Sequence, residues 1–213
     1  MSIQVAGRVR PALQRELNGK SFNSCVGVRS KTSDIYVTTS DKPILVNANE
    51  KNTIASNAAH LQQFHFTHVF PTTASTSIIY NTLCKSAVAN ALNTGNNATL
   101  FAYGQTSTGK THTMFGSKSQ PGLAHLLASD LLNRSTSLPG TTLHMSYLQL
   151  YRGHMTDLLS RHDRGNLKDL ESLTQHPVTS SNEFVRLVNQ GTKHRKTAST
   201  KLNSSSSRSH AVL

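Results

Sequence analysis

One stretch near the middle of the chain limits its possible folds more than any other. Residues 104–111 run Gly-Gln-Thr-Ser-Thr-Gly-Lys-Thr and satisfy the pattern G-x-x-x-x-G-K-[ST]. In this pattern a glycine-rich loop turns its backbone N–H groups toward phosphate oxygens, while Lys110 reaches the terminal phosphates and Thr111 holds Mg²⁺. Gly104 and Gly109 allow backbone conformations that a side chain would obstruct. Nucleotide binding is therefore the first hypothesis.

The surrounding residues favour this interpretation over an ordinary surface loop rich in Gly, Ser and Thr. Directly before the loop, the apolar residues 100–103 have the composition of a buried strand. About a hundred residues with several predicted strands come before it. In most small phosphate-loop kinases and switch GTPases the loop follows the first strand instead. We therefore expect the strand at residues 100–103 to be central in its sheet.

Length and charge narrow the class of protein and of partner. The chain has 213 residues, enough for one domain with one sizeable core, and a formal charge of +12. This excess of basic residues indicates an anionic partner: a nucleotide, a nucleic acid or an acidic protein surface. The densest basic group, at residues 193–196, is short enough to be an ordinary solvated helix face. Because no aromatic residues are interleaved with it for base stacking, we expect no DNA or RNA partner.

Cysteine usage and hydropathy exclude several other classes. Cys25 and Cys84 are too few for a disulfide scaffold or a zinc site, and we expect two small buried apolar residues in a reducing, cytoplasmic environment. Residues 1–13 lack the unbroken apolar core of a signal peptide. Since no run of about 18 apolar residues is present to span a bilayer, we expect a soluble protein with no membrane partner.

The first half of the chain carries the signals of short strands. Residues 3–11 alternate weakly and end at Pro11, which cannot donate to a β-ladder. Strands are also predicted at residues 26–28, 35–39, 44–46 and 64–70. By contrast, residues 47–63 show little apolar periodicity and are predicted to form a surface loop.

Helical patterns lie on both sides of the phosphate loop. Apolar residues recur at helical spacing over residues 77–93 and 123–131. The second run places four leucines on one predicted core face: Leu123, Leu126, Leu127 and Leu131. Further on, Ser180 and Glu183 form a capping box that predicts the start of a third helix.

Two more strands are predicted downstream, at residues 143–151 and 211–213. Together the elements indicate the α/β class, with a central mixed β-sheet flanked by helices.

The motifs of this chain resemble, in order and over nearly its whole length, those of the kinesin motor domain. Residues 100–114 are similar to the family's I-F-A-Y-G-Q-T-x-S-G-K-T-H-T-M, with Thr108 where serine is usual. Residues 8–11 resemble R-x-R-P, and residues 64–70 resemble F-x-F-D-x-V-F. A later segment, residues 147–159, is similar to Y-x-E-I-Y-x-E-x-x-x-D-L-L. Residues 203–210 reproduce the first switch, N-x-x-S-S-R-S-H.

The resemblance implies a P-loop NTPase fold of the kinesin/myosin type over residues 1–213, with ATP and Mg²⁺ as ligands. It implies nucleotide contacts from Gly104, Gln105, Thr106, Ser107, Thr108, Gly109, Lys110, Thr111 and His112. By the same resemblance, Arg8 and Pro11 lie against the adenine, and Asn203 contributes to the nucleotide site.

The resemblance also implies roles for the first switch. Thr111 and Ser207 would hold Mg²⁺, with Ser207 close to the γ-phosphate. Arg208 would pair with a glutamate of the family's second switch, D-L-A-G-S-E, a segment that these 213 residues do not contain. We therefore expect a C-terminally truncated motor domain with weak or absent ATP hydrolysis.

A complete kinesin motor domain couples ATP hydrolysis to movement along microtubules. The resemblance thus implies a microtubule (tubulin) partner, with binding weakened or lost in this chain, and a cytoplasmic location on the cytoskeleton. Two alternatives stay open. One is a non-catalytic, kinesin-derived module that binds a nucleotide or a protein partner, and the other is a phosphate-loop small-molecule kinase.

Overall fold

The computed structural model describes residues 3–12, 26–38, 61–117, 119–137, 140–160, 167–201 and 209–213. The chain divides into two compact units, Met1–Ser86 and Ala87–Leu213. Both contain helices and strands, as the predicted α/β class requires. The described strands pair in parallel and antiparallel directions and form four sheets of two or three strands each. None of the described helices has the length and hydrophobicity of a bilayer-spanning segment.

Five short strands form two sheets in the described part of the first unit. Strand β1 (Ala6–Arg8) pairs in parallel with a later strand, β5 (His68–Phe70). Strands β2 (Val26–Arg29), β3 (Asp34–Thr38) and β4 (Leu61–His65) form an antiparallel sheet. The loop prediction is thus wrong for residues 61–63, which pair with β3. Cys25, the predicted strand at 44–46 and residues 47–60 lie outside the described residues.

The single strand predicted at residues 64–70 is wrong, because the chain changes partner in its middle. The backbone N–H of Phe66 donates to the carbonyl of Ser33 at 3.0 Å, which continues the contact with the β3 side. The N–H of Thr67 donates instead to the carbonyl of Val5 at 2.8 Å, beside β1. Regular apolar alternation therefore continues across two strands that belong to different sheets.

The helix predicted at residues 77–93 is confirmed, with a change of winding that its periodicity did not indicate. It consists of α1 (Thr76–Ile79), a π-helical segment (Tyr80–Cys84) and α2 (Lys85–Thr94). The Ser75 hydroxyl caps its start by accepting from the N–H of Ile78 at 3.3 Å. Cys84 is buried, as predicted, and burial raises the pKa of its thiol.

Helix α2 crosses into the second unit, whose described part contains three further helices and five strands. The helices are α3 (Lys110–Phe115), α4 (Leu123–Ser135) and α5 (Ser181–Lys201). The strands are β6 (His144–Met145), β7 (Leu148–Tyr151), β8 (His154–Asp157), β9 (His176–Pro177) and β10 (Ser209–Val212). Strand β7 lies between β10 and β8, while β6 pairs with β9. The strand predicted at residues 143–151 is therefore two strands, and the final strand prediction is confirmed.

The start of α5 confirms half of the predicted capping box. The Ser180 hydroxyl accepts from the N–H of Glu183 at 3.2 Å. The Glu183 carboxylate reaches the N–H and hydroxyl of Thr179, at 3.0 and 2.9 Å, instead of the Ser180 N–H. These bonds from Thr179 lower the pKa of Glu183. The Glu183 side chain thus binds Thr179, one residue before the Ser180 that the capping box predicts as its partner.

A single hydrophobic cluster joins α4, α5 and the strands between them. Its members include Ala124 and Ala128 of α4 and Leu187 of α5. Tyr147, directly before β7, and Leu158 and Leu159, directly after β8, also belong to it. The four-leucine face predicted for α4 is wrong in part: Leu123 is buried, but Leu126, Leu127 and Leu131 are half-buried. The alanine face of α4 enters the cluster because small side chains let elements approach closely.

Gly191 allows α5 to pass directly over Tyr147. The Tyr147 side chain is 1% exposed, and a Cβ added to Gly191 would lie 2.7 Å from its Cε1 and closer still to Cδ1. Glycine in a helix interior costs about 1 kcal/mol relative to alanine. At residue 191 the close packing of α5 on Tyr147 requires glycine despite this cost.

We expect Gly191→Ala to lower the free energy of unfolding by about 1–3 kcal/mol, the usual cost of overpacking, although alanine favours the helix. Urea denaturation of the purified chain measures this change. In a Tyr147→Ala background the same substitution should become neutral or stabilising. An equal loss in both backgrounds would contradict the steric explanation.

The buried carboxylate of Asp34 accepts from the hydroxyl of Tyr36 and lies 3.0 Å from the Nδ1 of His65. Hydrogen bonds from the side chains of Thr32 and His65 lower the pKa of Asp34 to about 2. An aspartate in the unfolded chain has a pKa of about 3.9. The contribution of Asp34 to the free energy of unfolding is therefore fully present above that pH and is lost as the pH falls toward 2.

We expect the difference in urea midpoint between the native chain and its Asp34→Asn variant to shrink as the pH is lowered from about 5 to about 2. If this difference in midpoint does not change with pH over this window, Asp34 does not stabilise the fold as an ionised carboxylate.

Candidate functional site

The segment before the phosphate loop has no regular secondary structure. Residues 95–103 contain no strand, and the side chains of Phe101 and Tyr103 are 81% and 95% exposed. The prediction of a buried, central strand at residues 100–103 is therefore wrong. An apolar run becomes a buried strand only where a neighbour offers ladder partners, and none of the described strands pairs with this one.

The loop itself makes a tight turn at residues 105–108. The N–H of Thr108 approaches the carbonyl oxygen of Gln105 at 3.4 Å, and the Thr108 hydroxyl donates to the same oxygen at 2.8 Å. Ser107, inside the turn, has φ +69°, and Gly109 after it has φ +96°. The two left-handed residues fold the backbone back toward the start of the loop.

Lys110 lies across the loop. Its ammonium donates to the carbonyl oxygens of Gly104 and Gln105 at 2.8 and 2.6 Å. Helix α3 begins at Lys110, and Thr113 completes the first turn by donating its N–H to the Gly109 carbonyl at 2.8 Å. The sequence motif thus forms a closed loop with its one ammonium group at the centre.

The remaining predicted loop residues are accessible to a ligand. The side chains of Gln105, Thr106, Ser107, Thr108, Thr111 and His112 are all exposed. A Cβ added to Gly109 would have no heavy atom within 4 Å, so the space beside the loop is open. An anion can approach this backbone, and the Thr111 hydroxyl is exposed next to Lys110.

Arg8 and Pro11 belong to the first unit, whereas the loop belongs to the second. Arg8 ends β1 and is half-buried, and burial lowers the pKa of its guanidinium. Their contact with adenine stays a prediction.

The first-switch residues Asn203, Ser207 and Arg208 lie outside the described residues, but both flanks are described. Helix α5 ends at Lys201, and β10 begins at Ser209 in register with Tyr151 of β7. From α5, Arg195 Nη2 donates to the carbonyl and hydroxyl oxygens of Ser209 at 3.3 and 3.2 Å. The last two residues of the predicted switch, Ser209 and His210, therefore lie in β10.

The solvated helix face predicted at residues 193–196 is wrong for two of its side chains. Arg195 binds Ser209, and the Nδ1 of His194 lies 2.7 Å from the carbonyl oxygen of Leu158. Helical spacing could have shown this, because seven residues separate His194 from the buried Leu187. The high charge of residues 193–196 favoured a solvated face over this helical spacing.

No group of three or more His, Cys, Asp or Glu side chains that could hold a metal ion occurs among the residues described. The metal ligands predicted for this chain, Thr111 and Ser207, are hydroxyl groups. They belong to a different kind of site, in which a nucleotide's phosphates provide further oxygen ligands.

Comparison with known proteins decides the family. The model of the kinesin motor domain matches residues 8–213, which include the phosphate loop and the predicted first switch. The chain belongs to the kinesin motor domain family. Proteins of this family bind a nucleotide with Mg²⁺, and their fold is the P-loop NTPase fold of the kinesin/myosin type.

Individual kinesins are similar over the full length of this chain. Kinesin-like protein KIN-8A of Oryza sativa subsp. japonica is 34% identical over 99% of the chain, which covers 27% of that protein. KIN-8A of Arabidopsis thaliana is also 34% identical over 99% of the chain, covering 29% of the relative. Kinesin-related protein 1 of Dictyostelium discoideum is 33% identical over the whole chain, which covers 10% of that protein.

Proposed function

We propose that this chain binds ATP with Mg²⁺ at residues 104–111 and is the nucleotide-binding part of a kinesin-type microtubule motor. The observation that carries the proposal is the position of Lys110. Its ammonium lies between the Gly104 and Gln105 carbonyls, at the centre of a loop that has the kinesin motif.

The loop residues fit a triphosphate with its metal ion. Backbone N–H groups of the turn can face phosphate oxygens, since no heavy atom blocks the space beside Gly109. Lys110 can exchange two carbonyl oxygens for terminal phosphate oxygens. Thr111 would hold Mg²⁺, which neutralises charge on the phosphates when bound.

The other predicted residues complete the site in this proposal. Arg8 and Pro11 contact the adenine, and Asn203 contributes from the first switch. Ser207 serves as a second Mg²⁺ ligand near the γ-phosphate, and Arg208 acts in the switch. The kinesin motif at residues 203–210 supports these roles.

Microtubules are the proposed protein partner, and the cytoskeleton in the cytoplasm is the proposed location. The formal charge of +12 is consistent with an acidic protein surface. In the complete motor, ATP hydrolysis would drive movement along the microtubule. The chain would contribute nucleotide binding to this cycle.

The decisive test is the affinity of the purified chain for ATP with Mg²⁺, measured by calorimetry. We expect Lys110→Ala to weaken binding at least tenfold, because hydrogen bonds to a charged group contribute about 1.5–3 kcal/mol each. Lys168→Ala removes the same charge from an exposed lysine outside the loop and should leave the affinity unchanged. Equal affinity of the native chain and Lys110→Ala would refute the proposed site.

Turnover tests the expectation of weak or absent ATP hydrolysis. Phosphate release stimulated by microtubules would contradict that expectation and support a working motor, whereas ATP binding without release would agree with it and with a non-catalytic nucleotide-binding module. Transfer of phosphate to a metabolite would instead indicate a small-molecule kinase.

A further inference from the structure

The turn of residues 105–108 contains a strained residue in the centre of the proposed site. Ser107 has φ +69°, in the left-handed region that residues other than glycine seldom occupy. The backbone bond that closes the turn is long, since 3.4 Å separates the Thr108 nitrogen from the Gln105 oxygen. Another interaction must therefore hold Ser107 in this conformation.

The Thr108 hydroxyl provides that interaction. It donates to the Gln105 carbonyl at 2.8 Å, a much shorter bond than the backbone one. The side chain lies directly over Gly104: a Cβ added there would be 2.7 Å from the Thr108 hydroxyl oxygen and 3.5 Å from its Cβ. The absence of a side chain at Gly104 thus leaves room for Thr108 to close the turn.

Besides the long backbone bond, the Gln105 carbonyl has two side-chain donors in this conformation, and only one of these two can remain when a nucleotide binds. Lys110 donates to this oxygen at 2.6 Å, in addition to Thr108. In the proposed complex the Lys110 ammonium moves to the phosphates. The Thr108 hydroxyl is then the remaining side-chain donor to this oxygen. Its bond therefore stabilises the turn more in the nucleotide complex than in the free chain. A group changes affinity only through such a difference between states.

We propose that Thr108 is a positioning residue of the nucleotide site. Its hydroxyl, bonded to the Gln105 carbonyl, holds the left-handed Ser107 in the form that presents the loop to phosphate. Thr108 acts on the backbone of the loop through this bond. This inference rests on the proposed function, because it concerns the same loop.

Variants of the full 213-residue chain test the role of the hydroxyl, with ATP and Mg²⁺ as the probe. Thr108→Val keeps the shape of the side chain but removes the donor, and should weaken binding about three- to tenfold, the usual contribution of one hydrogen bond. Thr108→Ser keeps the donor and should retain most of the affinity.

Ser107→Gly tests the strain independently, because glycine adopts positive φ without a steric penalty. In the Thr108→Val background it should restore most of the lost affinity. A role of Thr108 in direct contact with the nucleotide would give no such rescue.

Thr136→Val is the matched control. The Thr136 hydroxyl donates to the carbonyl of Asn133, also three residues earlier, at 2.7 Å. Its loss should lower the urea midpoint but leave the ATP affinity unchanged. Circular dichroism verifies that each variant is folded.

Two results would overturn the inference while leaving the proposed site intact. One is native affinity in Thr108→Val, and the other is a failure of Ser107→Gly to rescue that variant, in each case with Lys110→Ala still defective. If Lys110→Ala binds as well as the native chain, the proposed function itself fails, and the inference fails with it.

Discussion

The core of the second unit depends on one buried carboxylate. Asp157, at the end of β8, is 1% exposed and accepts three backbone N–H groups: from Leu159 at 2.8 Å, from Ser160 at 3.2 Å and from Thr174 at 2.8 Å. A buried carboxylate without such donors would be costly. The bonds bring residue 174, which leads into β9, beside the turn that follows β8. Leu158 and Leu159 are thereby directed into the core, where α5 packs on them.

The phosphate loop is organised differently, by bonds within a few residues of sequence. Gln105 and Gly104 accept from Thr108 and Lys110, and Thr113 closes the helix start on Gly109. These bonds need no distant partner, so a short motif can specify the geometry of the loop. For the same reason the loop could be identified from sequence, although the strand predicted before it was wrong.

The incorrect strand predictions share one physical cause. Residues 64–70 alternate in a regular way and residues 143–151 have the composition of a strand, yet each segment contains two strands that pair with different neighbours. Alternation records which side chains face the core and carries no information on which strand lies alongside. Residues 100–103 show the same limit, since an apolar composition favours a strand but supplies no partner.

Local sequence was sufficient to predict the family, the phosphate loop, the main helices and the cap at Ser180, because each depends on residues close together in the chain. The contacts between distant segments depend on the tertiary structure. It directed Arg195 to Ser209 and His194 to the Leu158 carbonyl, broke two predicted strands, and packed Gly191 against Tyr147. Those contacts join residues whose separation along the chain no local pattern encodes. The phosphate loop is specified by local bonds alone, whereas the core around Asp157 also needs the bond from Thr174, 17 residues away along the chain.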